Sequence, residues 1–580
     1  MCYNASMKKI VLFFCIVVLA FSVCACAQTD DGESENRTDL SGTEITFNAG
    51  DGFFASNGGT VVKKRTDGSG RLSVDKESIP RRDGYAFSGF YDGSTAFDST
   101  ASYTEPRTFT AKYIPCGDNI LYEALFDENS TVAIDINMSA SEWKKLDADY
   151  TRFSKRGGKS PIYRMSNYVT IDVKSVFGDY NCYFEEVGIR MKGNTSRHNF
   201  YNDTGFYSAI HMKLSFKETF DDTADGYASN ELKNWSNSAA RDFRKKRTLG
   251  GMEKIDIKYN STVDESYVRE QYAMKIFREN GIYAPNITLC KLDMVGESSA
   301  NFGVYRIHEP IDEAFIKRRA IDGNSVGDLW KCTWGRSRTG ADMTLDNMDN
   351  NVGVEDELNN EVYAYDKKTN KKKDKTTGLR DLSSMKNFLT AINGDNVDFD
   401  NYLDTDYFAK FEAINYILGN PDCIRNHANN YYVYFRKSDG KAIIIPYDYD
   451  RCLGSKQWDC FNGMSSADIT PYTRRTTLDG GLRNPLYIHL IVKGAPTGEG
   501  SVLMRYRANL IAISKSELLK ASSFDAYKNS YKNRYGKFVN NVVNGNNLAF
   551  DTNPVGNIPF ADYISAKLSV MNSNIDNYYA

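Results

Sequence analysis

The stretch PDCIRNHANNYYVYFRKSDGKAIIIPYDYDRCLG, residues 421–454, decides the fold of the larger part of this chain. Two strand-like runs, Tyr431–Phe435 and residues 442–445, flank a polar turn of Ser, Asp and Gly at residues 438–440. Apolar and aromatic runs on both sides of such a turn are typical of a β-hairpin. The sequence therefore predicts an antiparallel pair of strands here.

Acids and amides flank the predicted hairpin at its open end. Because neighbouring antiparallel strands lie about 4.8 Å apart, groups before the first strand and after the second come together. Kinases hold a metal and a hydroxyl substrate around ATP with a carboxylate and an amide before such strands and another carboxylate after them. An ordinary hairpin with polar ends is the alternative. The flanking side chains are Asp422, Asn426, Asn429, Asn430, Asp448 and Asp450.

Length and charge limit the classes of protein. A chain of 580 residues predicts more than one domain, or one large domain with appendages. The formal net charge of −3 argues against a general binder of nucleic acids or membrane surfaces. The 38 tyrosines are more than a core needs, and they leave a carbohydrate-binding surface protein as an open alternative.

The first residues predict export. Lys8 and Lys9 precede an apolar run at residues 10–23, which is too short to span a membrane and is typical of a signal segment. The run ends in Val-Cys-Ala-Cys, which resembles a lipobox with Cys26 as the lipidated residue. We therefore expect a lipoprotein signal peptide at 1–26, a flexible tether at 27–43, and an extracytoplasmic chain that meets the membrane only through its lipid. A plain secreted protein is the alternative.

Cysteine and histidine offer little metal chemistry. Seven cysteines follow Cys26, an odd number without CxxC spacing, so neither a zinc site nor a disulfide framework is predicted. Only Cys452 and Cys460 are close enough in sequence for a local bridge, which we do not predict. The five histidines are scattered, so we expect no histidine-based metal centre.

Residues 44–114 form a first unit, with Ile45-Thr46-Phe47 at its start, the run PRRDGYAF at residues 80–87, and Ala111-Lys112-Tyr113 at its end. With these segments the unit resembles the Listeria–Bacteroides repeat, also called the internalin B-repeat. The resemblance implies a small β-grasp-like module used for spacing or adhesion, with a cell-wall or surface partner. One copy is present, so no repeat array is predicted.

The rest of the chain, 117–580, reads as one large α+β unit. Residues 133–138 and 187–192 alternate like strands, the second with Arg190 and Lys192 on its polar face. A turn follows directly, formed by Gly193, Asn194, Thr195 and Ser196. Backbone N–H groups of such a Gly-containing turn can cradle phosphates, although most turns of this kind only connect strands. Residues 335–380 are polar, with the run KKKDK at 371–375, and predict a solvated loop or insertion; a docking surface for an acidic substrate is the alternative.

A lysine and a glutamate stand out in the next elements. Residues 210–216 alternate, with Lys213 on the polar face of the predicted strand. Residues 268–280 predict a helix in which Glu270 shares an apolar stripe with residues such as Phe277. A buried carboxylate needs a partner. Lys213 is the candidate, and the alternative is that Glu270 lies at the edge of the stripe and reaches water.

Seven motifs in order resemble the spore coat protein H (CotH) kinase family, bacterial secretory-pathway relatives of the protein kinases. The resemblance implies an atypical protein-kinase-like fold within the α+β class. It also implies transfer of phosphate from ATP to Ser or Thr of a secreted or surface protein. The motifs are GIRMKGNTS at 188–196, MKL at 212–214, YVRE at 267–270, GVY at 303–305, NYYVY at 430–434, PYDYD at 446–450 and NPL at 484–486.

The resemblance also implies roles for the polar residues. Lys213 would hold the α- and β-phosphates with Glu270 orienting it, and Lys192 with the turn Gly193, Asn194, Thr195 and Ser196 would cover the phosphates. Asp422 would accept or orient the hydroxyl proton. Asp448 would bind Mg²⁺ or Mn²⁺ with an amide, for which Asn430 is favoured over Asn429 and Asn426. Asp448 is chosen over the alternative, Asp450, because it follows the strand more closely.

Two departures from the family pattern bear on these roles. Eight residues separate Asp422 from Tyr431, more than the family spacing, so the metal-binding amide is open. Thr195 and Ser196 replace a motif often written with paired serines. A degenerate kinase that acts as a surface scaffold or adhesin therefore stays an alternative.

Overall fold

The computed structural model describes residues 42–193, 196–201, 207–296, 300–335, 340–346, 348–455, 470–472, 483–492, 501–539, 549–552 and 557–576. The elements form a mixed α/β structure with one large sheet, consistent with the predicted α+β class. The strands are β1 (Glu44–Asn48), β2 (Phe53–Phe54), β3 (Val61–Arg65), β4 (Pro80–Arg81), β5 (Tyr85–Asp92), β6 (Thr95–Ala96), β7 (Arg107–Pro115), β8 (Thr131–Asn137), β9 (Arg164–Met165), β10 (Tyr168–Ser175), β11 (Gly178–Glu185), β12 (Gly188–Lys192), β13 (His211–Ser215), β14 (Lys254–Tyr259), β15 (Ile287–Val295), β16 (Ala300–His308), β17 (Asp328–Cys332), β18 (Val352–Gly353), β19 (Tyr365–Lys367), β20 (Tyr431–Phe435) and β21 (Ala442–Pro446). The α-helices are α1 (Asn119–Phe126), α2 (Ala140–Ser154), α3 (Ser238–Lys245), α4 (Arg269–Glu279), α5 (Glu313–Arg318), α6 (Met348–Asn351), α7 (Ser383–Ile392), α8 (Thr405–Leu418), α9 (Pro485–Tyr487), α10 (Val502–Ile513), α11 (Ala521–Val539) and α12 (Phe560–Asn574).

The chain divides into two compact units. Among described residues, the smaller unit comprises 42–46, 63–73 and 98–108. Within it Lys63 Nζ lies 2.8 Å from Glu44 Oε1, and the Tyr103 amide donates to the Gly70 carbonyl at 2.8 Å. The predicted boundary at residue 114 and the β-grasp-like fold before it stay predictions.

The larger unit contains most of the main sheet, in the order β5-β11-β10-β8-β15-β16-β14-β13-β12-β9. Its strands pair antiparallel except β8 and β15, which run parallel. The predicted alternation is confirmed in β8, where every second residue is buried. Strands β12, β13 and β14 are neighbours, and they position the lysines discussed below.

A second, five-stranded sheet has the order β18-β19-β17-β20-β21. The predicted hairpin is confirmed: β20 pairs antiparallel with β21, and Tyr431 lies opposite Pro446. The prediction of a solvated loop at 335–380 is wrong at β19, whose three residues are buried. Asp366 of β19 forms an ion pair with Lys368, so a polar sequence is buried as a neutralised pair.

Helix α8 leads into the polar segment before the hairpin. Its buried face includes Phe408, Phe411, Ile414 and Leu418, as the 3.6-residue spacing predicts. The helix ends at Gly419, whose φ of +62° is left-handed, and the chain then turns toward Asp422. No helix in the described ranges is both long and apolar enough to cross a membrane. The six cysteines of these ranges are buried and free, whereas Cys460 lies outside them.

Gly419→Ala tests whether this helix end is conformationally demanding. A Cβ in the left-handed region costs about 1 kcal/mol, so we expect the free energy of unfolding to fall by that amount in a urea titration. Gly536 is the matched control because it lies inside α11, where a Cβ would meet only the Lys532 side chain, at 3.6 Å. Gly536→Ala should stabilise by roughly 0.5–1 kcal/mol. Two shifts of the same sign would contradict this interpretation.

Candidate functional site

A buried lysine, Lys258, lies at the centre of the site. It belongs to β14, and its side chain is 6% exposed. Its Nζ lies 2.5 Å from Asp448 Oδ1 and 3.8 Å from Glu270 Oε1. Burial opposes the charge, but the Asp448 and Glu270 carboxylates hold the pKa of Lys258 well above its usual value. One ammonium is therefore shared by a helix carboxylate and a carboxylate that follows the hairpin.

Asp448 is held ionised at the end of β21. Burial acts to raise its pKa, but the charge and hydrogen bond of Lys258 lower it to about 2. Both Asp448 and Asn430, which flank the hairpin, have left-handed backbones, with φ of +59° and +57°. Asn and Asp tolerate this region best, and backbone strain persists only where the surroundings fix it. The residue types on both sides of the hairpin therefore suit the left-handed backbone that they adopt.

The eight residues between Asp422 and Tyr431 fold back onto Asp422. Its Oδ1 accepts hydrogen bonds from Asn429 Nδ2 at 3.0 Å and lies 3.2 Å from His427 Nδ1. Its Oδ2 accepts from Asn430 Nδ2 at 3.0 Å. Both amides present nitrogen to Asp422, so their oxygens remain available as acceptors, and Asn429 Oδ1 is buried without a hydrogen-bond partner among the described residues.

Asn420 lies between the chain segments that enter and leave the hairpin at its open end. Its Nδ2 lies 3.5 Å from the Asp422 carbonyl and 3.4 Å from the Asp448 carbonyl. The structure therefore brings Asp422, Asn430 and Asp448 together, as the hairpin predicted. Their catalytic and metal-binding roles stay predictions.

The predicted pairing of Lys213 with Glu270 is wrong. Lys213 lies directly opposite Asp256 in the β13–β14 register, and its Nζ is 3.3 Å from Asp256 Oδ1. Glu270 instead lies beside Lys258 and 3.6 Å from Arg306 Nη1. Lys258 is two residues further along β14 than Asp256. At that position it lies near Glu270 of helix α4 and not opposite Lys213.

Glu270 does not reach water either, so that alternative is also wrong. Its side chain is 1% exposed, and neither carboxylate oxygen has a hydrogen-bond partner in the described part of the chain. Burial raises the pKa of Glu270, and the nearby Lys258 opposes that shift. An acid on an apolar stripe is thus held by cations from β14 and β16 at 3.6–3.8 Å.

The residues predicted to cover phosphates are only partly described. Lys192 Nζ forms an ion pair with Asp256 and a 3.1 Å hydrogen bond with Tyr447 Oη. Ser196 Oγ lies 3.1 Å from His211 Nδ1, and a Cβ at Gly193, which has φ of +105°, would lie 2.2 Å from that oxygen. Asn194 and Thr195 lie outside the described residues, as does the predicted lipidation site Cys26.

Sequence reasoning missed Lys258, although a signal existed. Residues 254–259 alternate, with Lys254, Asp256 and Lys258 on one face and Ile255 and Ile257 on the other. This charged strand comes directly before the loop that leads to α4 and Glu270. Because this charged strand directly precedes the helix that carries Glu270, the sequence could have indicated Lys258 as a second candidate partner for Glu270.

Asp450 behaves differently from Asp448. Burial, and then the charges of Asp448 and Glu270, raise the pKa of Asp450 to about 7. Near neutral pH the two acids after the hairpin therefore differ in charge, and Asp448 is the one that stays ionised. This supports the choice of Asp448 over Asp450 as the ligand of a cation.

Asp450→Asn should make the protein more stable at alkaline pH. The folded pKa lies above the unfolded value of 3.8, so stability is complete below about pH 4 and falls as pH rises toward 7. The variant escapes that loss, and we expect a gain of about 2–4 kcal/mol at roughly pH 8 and little change at about pH 4. Chemical unfolding with EDTA present measures it. Asp395→Asn is the control, because Asp395 is exposed and forms no hydrogen bond or ion pair among the described residues. A wild type at least as stable as Asp450→Asn at high pH contradicts the assignment.

The site contains oxygen atoms of the kind that a divalent cation takes as ligands. The described residues contain no group of three or more His, Cys, Asp or Glu side chains that could hold a metal. Mg²⁺ bound with a nucleotide needs only one or two carboxylates, with phosphate and water oxygens completing its shell. The ionised Asp448 and the Asn429 Oδ1, which has no hydrogen-bond partner among the described residues, supply hard oxygen atoms of the required kind.

One known protein family matches the part of the chain that contains this site. The family described as CotH kinase protein matches residues 189–549, which contain Lys258, Glu270, Asp422 and Asp448. No curated protein matches the chain. The match spans more than half of the 580 residues and confirms the predicted resemblance over that range. The chain therefore belongs to the CotH kinase protein family.

Proposed function

We propose that the protein is an extracytoplasmic atypical protein kinase that transfers the γ-phosphate of ATP to Ser or Thr of a secreted or surface protein. The observation that carries this proposal is Lys258, shared by Glu270 and Asp448. In protein kinases a strand lysine pairs with a helix glutamate, and a metal-binding aspartate lies beside them. Asp422, joined to Asp448 through Asn420, adds the acid that faces the hydroxyl substrate.

The proposed roles follow from these contacts. Lys258 binds the α- and β-phosphates, the role first assigned to Lys213, and Glu270 fixes the position of its ammonium. Asp448 holds Mg²⁺ or Mn²⁺ with the amide oxygen of Asn430 or Asn429. The bound ATP supplies the phosphoryl group, and the metal neutralises its charge.

Lys192 and the loop after it complete the phosphate side of the proposed site. Lys192, Gly193, Asn194, Thr195 and Ser196 cover the phosphates in this proposal. Lys192 already borders the site through Tyr447. Lys213 shares Asp256 with Lys192 and acts by holding that carboxylate in place.

Asp422 is the proposed base or orienting acid. Its carboxylate is held by the side chains of His427, Asn429 and Asn430, so it presents one orientation to an incoming hydroxyl. Phosphoryl transfer needs alignment of the nucleophile more than strong proton abstraction. The fixed carboxylate supports this role.

Location and partners are proposed from the first 114 residues. The lipobox-like segment supports attachment through Cys26 to the outer face of the cell membrane, with no other membrane contact. The repeat-like segment at 44–114 supports a cell-wall or surface partner. The net charge of −3 gives no support to nucleic-acid binding.

Phosphate transfer from γ-labelled ATP tests the proposed function. The full chain is incubated with ATP and Mg²⁺ or Mn²⁺, alone and with secreted proteins of the same cells, and the labelled residue is identified after acid hydrolysis. We expect metal-dependent label on phosphoserine or phosphothreonine, abolished by EDTA. Absence of both nucleotide binding and transfer would contradict a kinase and leave the surface scaffold.

A further inference from the structure

Lys331 reaches the site from a strand that carries none of the residues assigned above. It belongs to β17, which pairs with β20 on the side away from β21, and it lies opposite Tyr432 of β20 and Asp366 of β19. Its Nζ lies 4.8 Å from the ring centroid of Tyr447. Tyr447 directly precedes Asp448, so Lys331 lies at the same end of the hairpin as the proposed metal ligand.

Three ammonium groups surround the Tyr447 ring. Lys192 Nζ is 5.6 Å and Lys258 Nζ is 5.5 Å from its centroid, in addition to Lys331. Lys192 has Asp256 as counter-ion, and Lys258 has Asp448 and Glu270. Lys331 forms neither a hydrogen bond nor an ion pair with any side chain in the described ranges, and its ammonium contacts the Tyr447 ring.

Two acidic residues near Lys331 are paired with Lys368 instead. Asp366, its cross-strand neighbour, forms an ion pair with Lys368, and Glu355 lies 3.4 Å from the same lysine. Burial, and the charges of Lys159, Lys368 and Lys192, lower the pKa of Lys331 to about 7. A cation–π contact offsets only part of the cost of burying an unpaired ammonium. Among the described residues, Lys331 is therefore the ammonium at the Tyr447 ring that has no carboxylate in ion-pair contact.

We propose that Lys331 is a second phosphate-binding lysine, which contacts the phosphate chain of the nucleotide alongside Lys258. This inference rests on the proposed kinase function. An anionic oxygen that reaches the Tyr447 ring would meet the ammonium that lacks a counter-ion, so the bound phosphate would supply the missing charge. Lys331 would then bind and position the nucleotide without taking part in proton transfer.

Nucleotide affinity of Lys331 variants tests this inference. Calorimetry on the full chain measures ATP, inorganic tripolyphosphate and adenosine with wild type, Lys331→Gln and Lys331→Arg. A charge-assisted hydrogen bond to phosphate predicts a roughly 10- to 100-fold loss of ATP and tripolyphosphate affinity in Lys331→Gln. Lys331→Arg should keep most of it, and adenosine affinity should not change. Lys437→Gln, at the exposed far end of the hairpin, is the matched control.

The melting temperature of Lys331→Gln shows whether a loss of affinity reflects lost phosphate binding or lost folding. A lysine without a counter-ion adds little to the fold, so the melting temperature of Lys331→Gln should equal or exceed that of the wild type. Wild-type tripolyphosphate affinity in Lys331→Gln overturns the inference and leaves the kinase proposal intact. An increase only in the KM of the acceptor protein, with unchanged nucleotide affinity, overturns it in favour of an acidic acceptor site. A wild type that binds neither ATP nor tripolyphosphate overturns both proposals.

Discussion

Asp448→Asn lowers the rate of phosphate transfer by at least about 10²–10³-fold, the loss typical when charge stabilisation of a transition state is removed. The substitution keeps the size of the side chain and an oxygen that can accept from Lys258, so it removes the charge and little else. Asp448 is the acid that stays ionised, with a pKa of about 2, and it lies at the end of the hairpin where Asp422 also lies. The loss should appear in kcat at saturating ATP and metal.

Asp439→Asn is the matched control for this prediction. Asp439 is an acid of the same hairpin, but it lies in the turn at the opposite end and its side chain is 39% exposed. We expect its transfer rate to equal that of the wild type. Equal rates for Asp448→Asn and Asp439→Asn, with both proteins folded, would remove Asp448 from the active site.

Lys258→Gln should also reduce the rate by about 10²-fold or more, whereas Lys213→Gln should reduce it by less than about tenfold. Lys258 is the cation between Glu270 and Asp448, so its loss removes the charge that the proposed site directs at the phosphates. Removing Lys213 leaves Asp256 paired with Lys192, and both lie outside the Lys258–Glu270 contact. The comparison of kcat/KM therefore separates two lysines on neighbouring strands.

A second variant, Lys258→Arg, distinguishes a loss of catalysis from a loss of folding in Lys258→Gln. Breaking a buried ion pair by removing one partner costs about 3–5 kcal/mol, so Lys258→Gln is measured beside Lys258→Arg, which keeps the charge. Unfolding curves of both variants show whether lost activity reflects lost structure. A larger loss of activity in Lys213→Gln than in a folded Lys258 variant would return the phosphate-binding role to Lys213.

Local patterns in the sequence predicted most elements near the site. The hairpin of β20 and β21, helix α8 and helix α4 were confirmed because the spacing of apolar residues records which face is buried. The hairpin also predicted that Asp422 and Asp448 lie close together, because the antiparallel pairing of two strands fixes which residues meet at the open end. No distant part of the chain was needed for these predictions.

Cross-strand register explains what sequence reasoning missed. Lys213 and Lys258 both alternate with apolar residues, and only the pairing of β13 with β14 shows that Lys213 faces Asp256. Burial of β19 likewise depends on Asp366 and Lys368 neutralising each other, which turns a polar segment into a strand. Lys331 is a further case, because it contacts Tyr447, a residue far away in sequence that follows β21.

The most direct test of the proposed active site is the position of bound metal and nucleotide in crystals of the full chain grown with Mn²⁺ and a non-hydrolysable ATP analogue. We predict an anomalous Mn²⁺ peak at coordination distance, about 2.1–2.3 Å, from an Asp448 carboxylate oxygen, with a phosphate oxygen in contact with Lys258 Nζ. Nucleotide bound elsewhere on the chain, or metal that does not contact Asp448, would contradict this assignment.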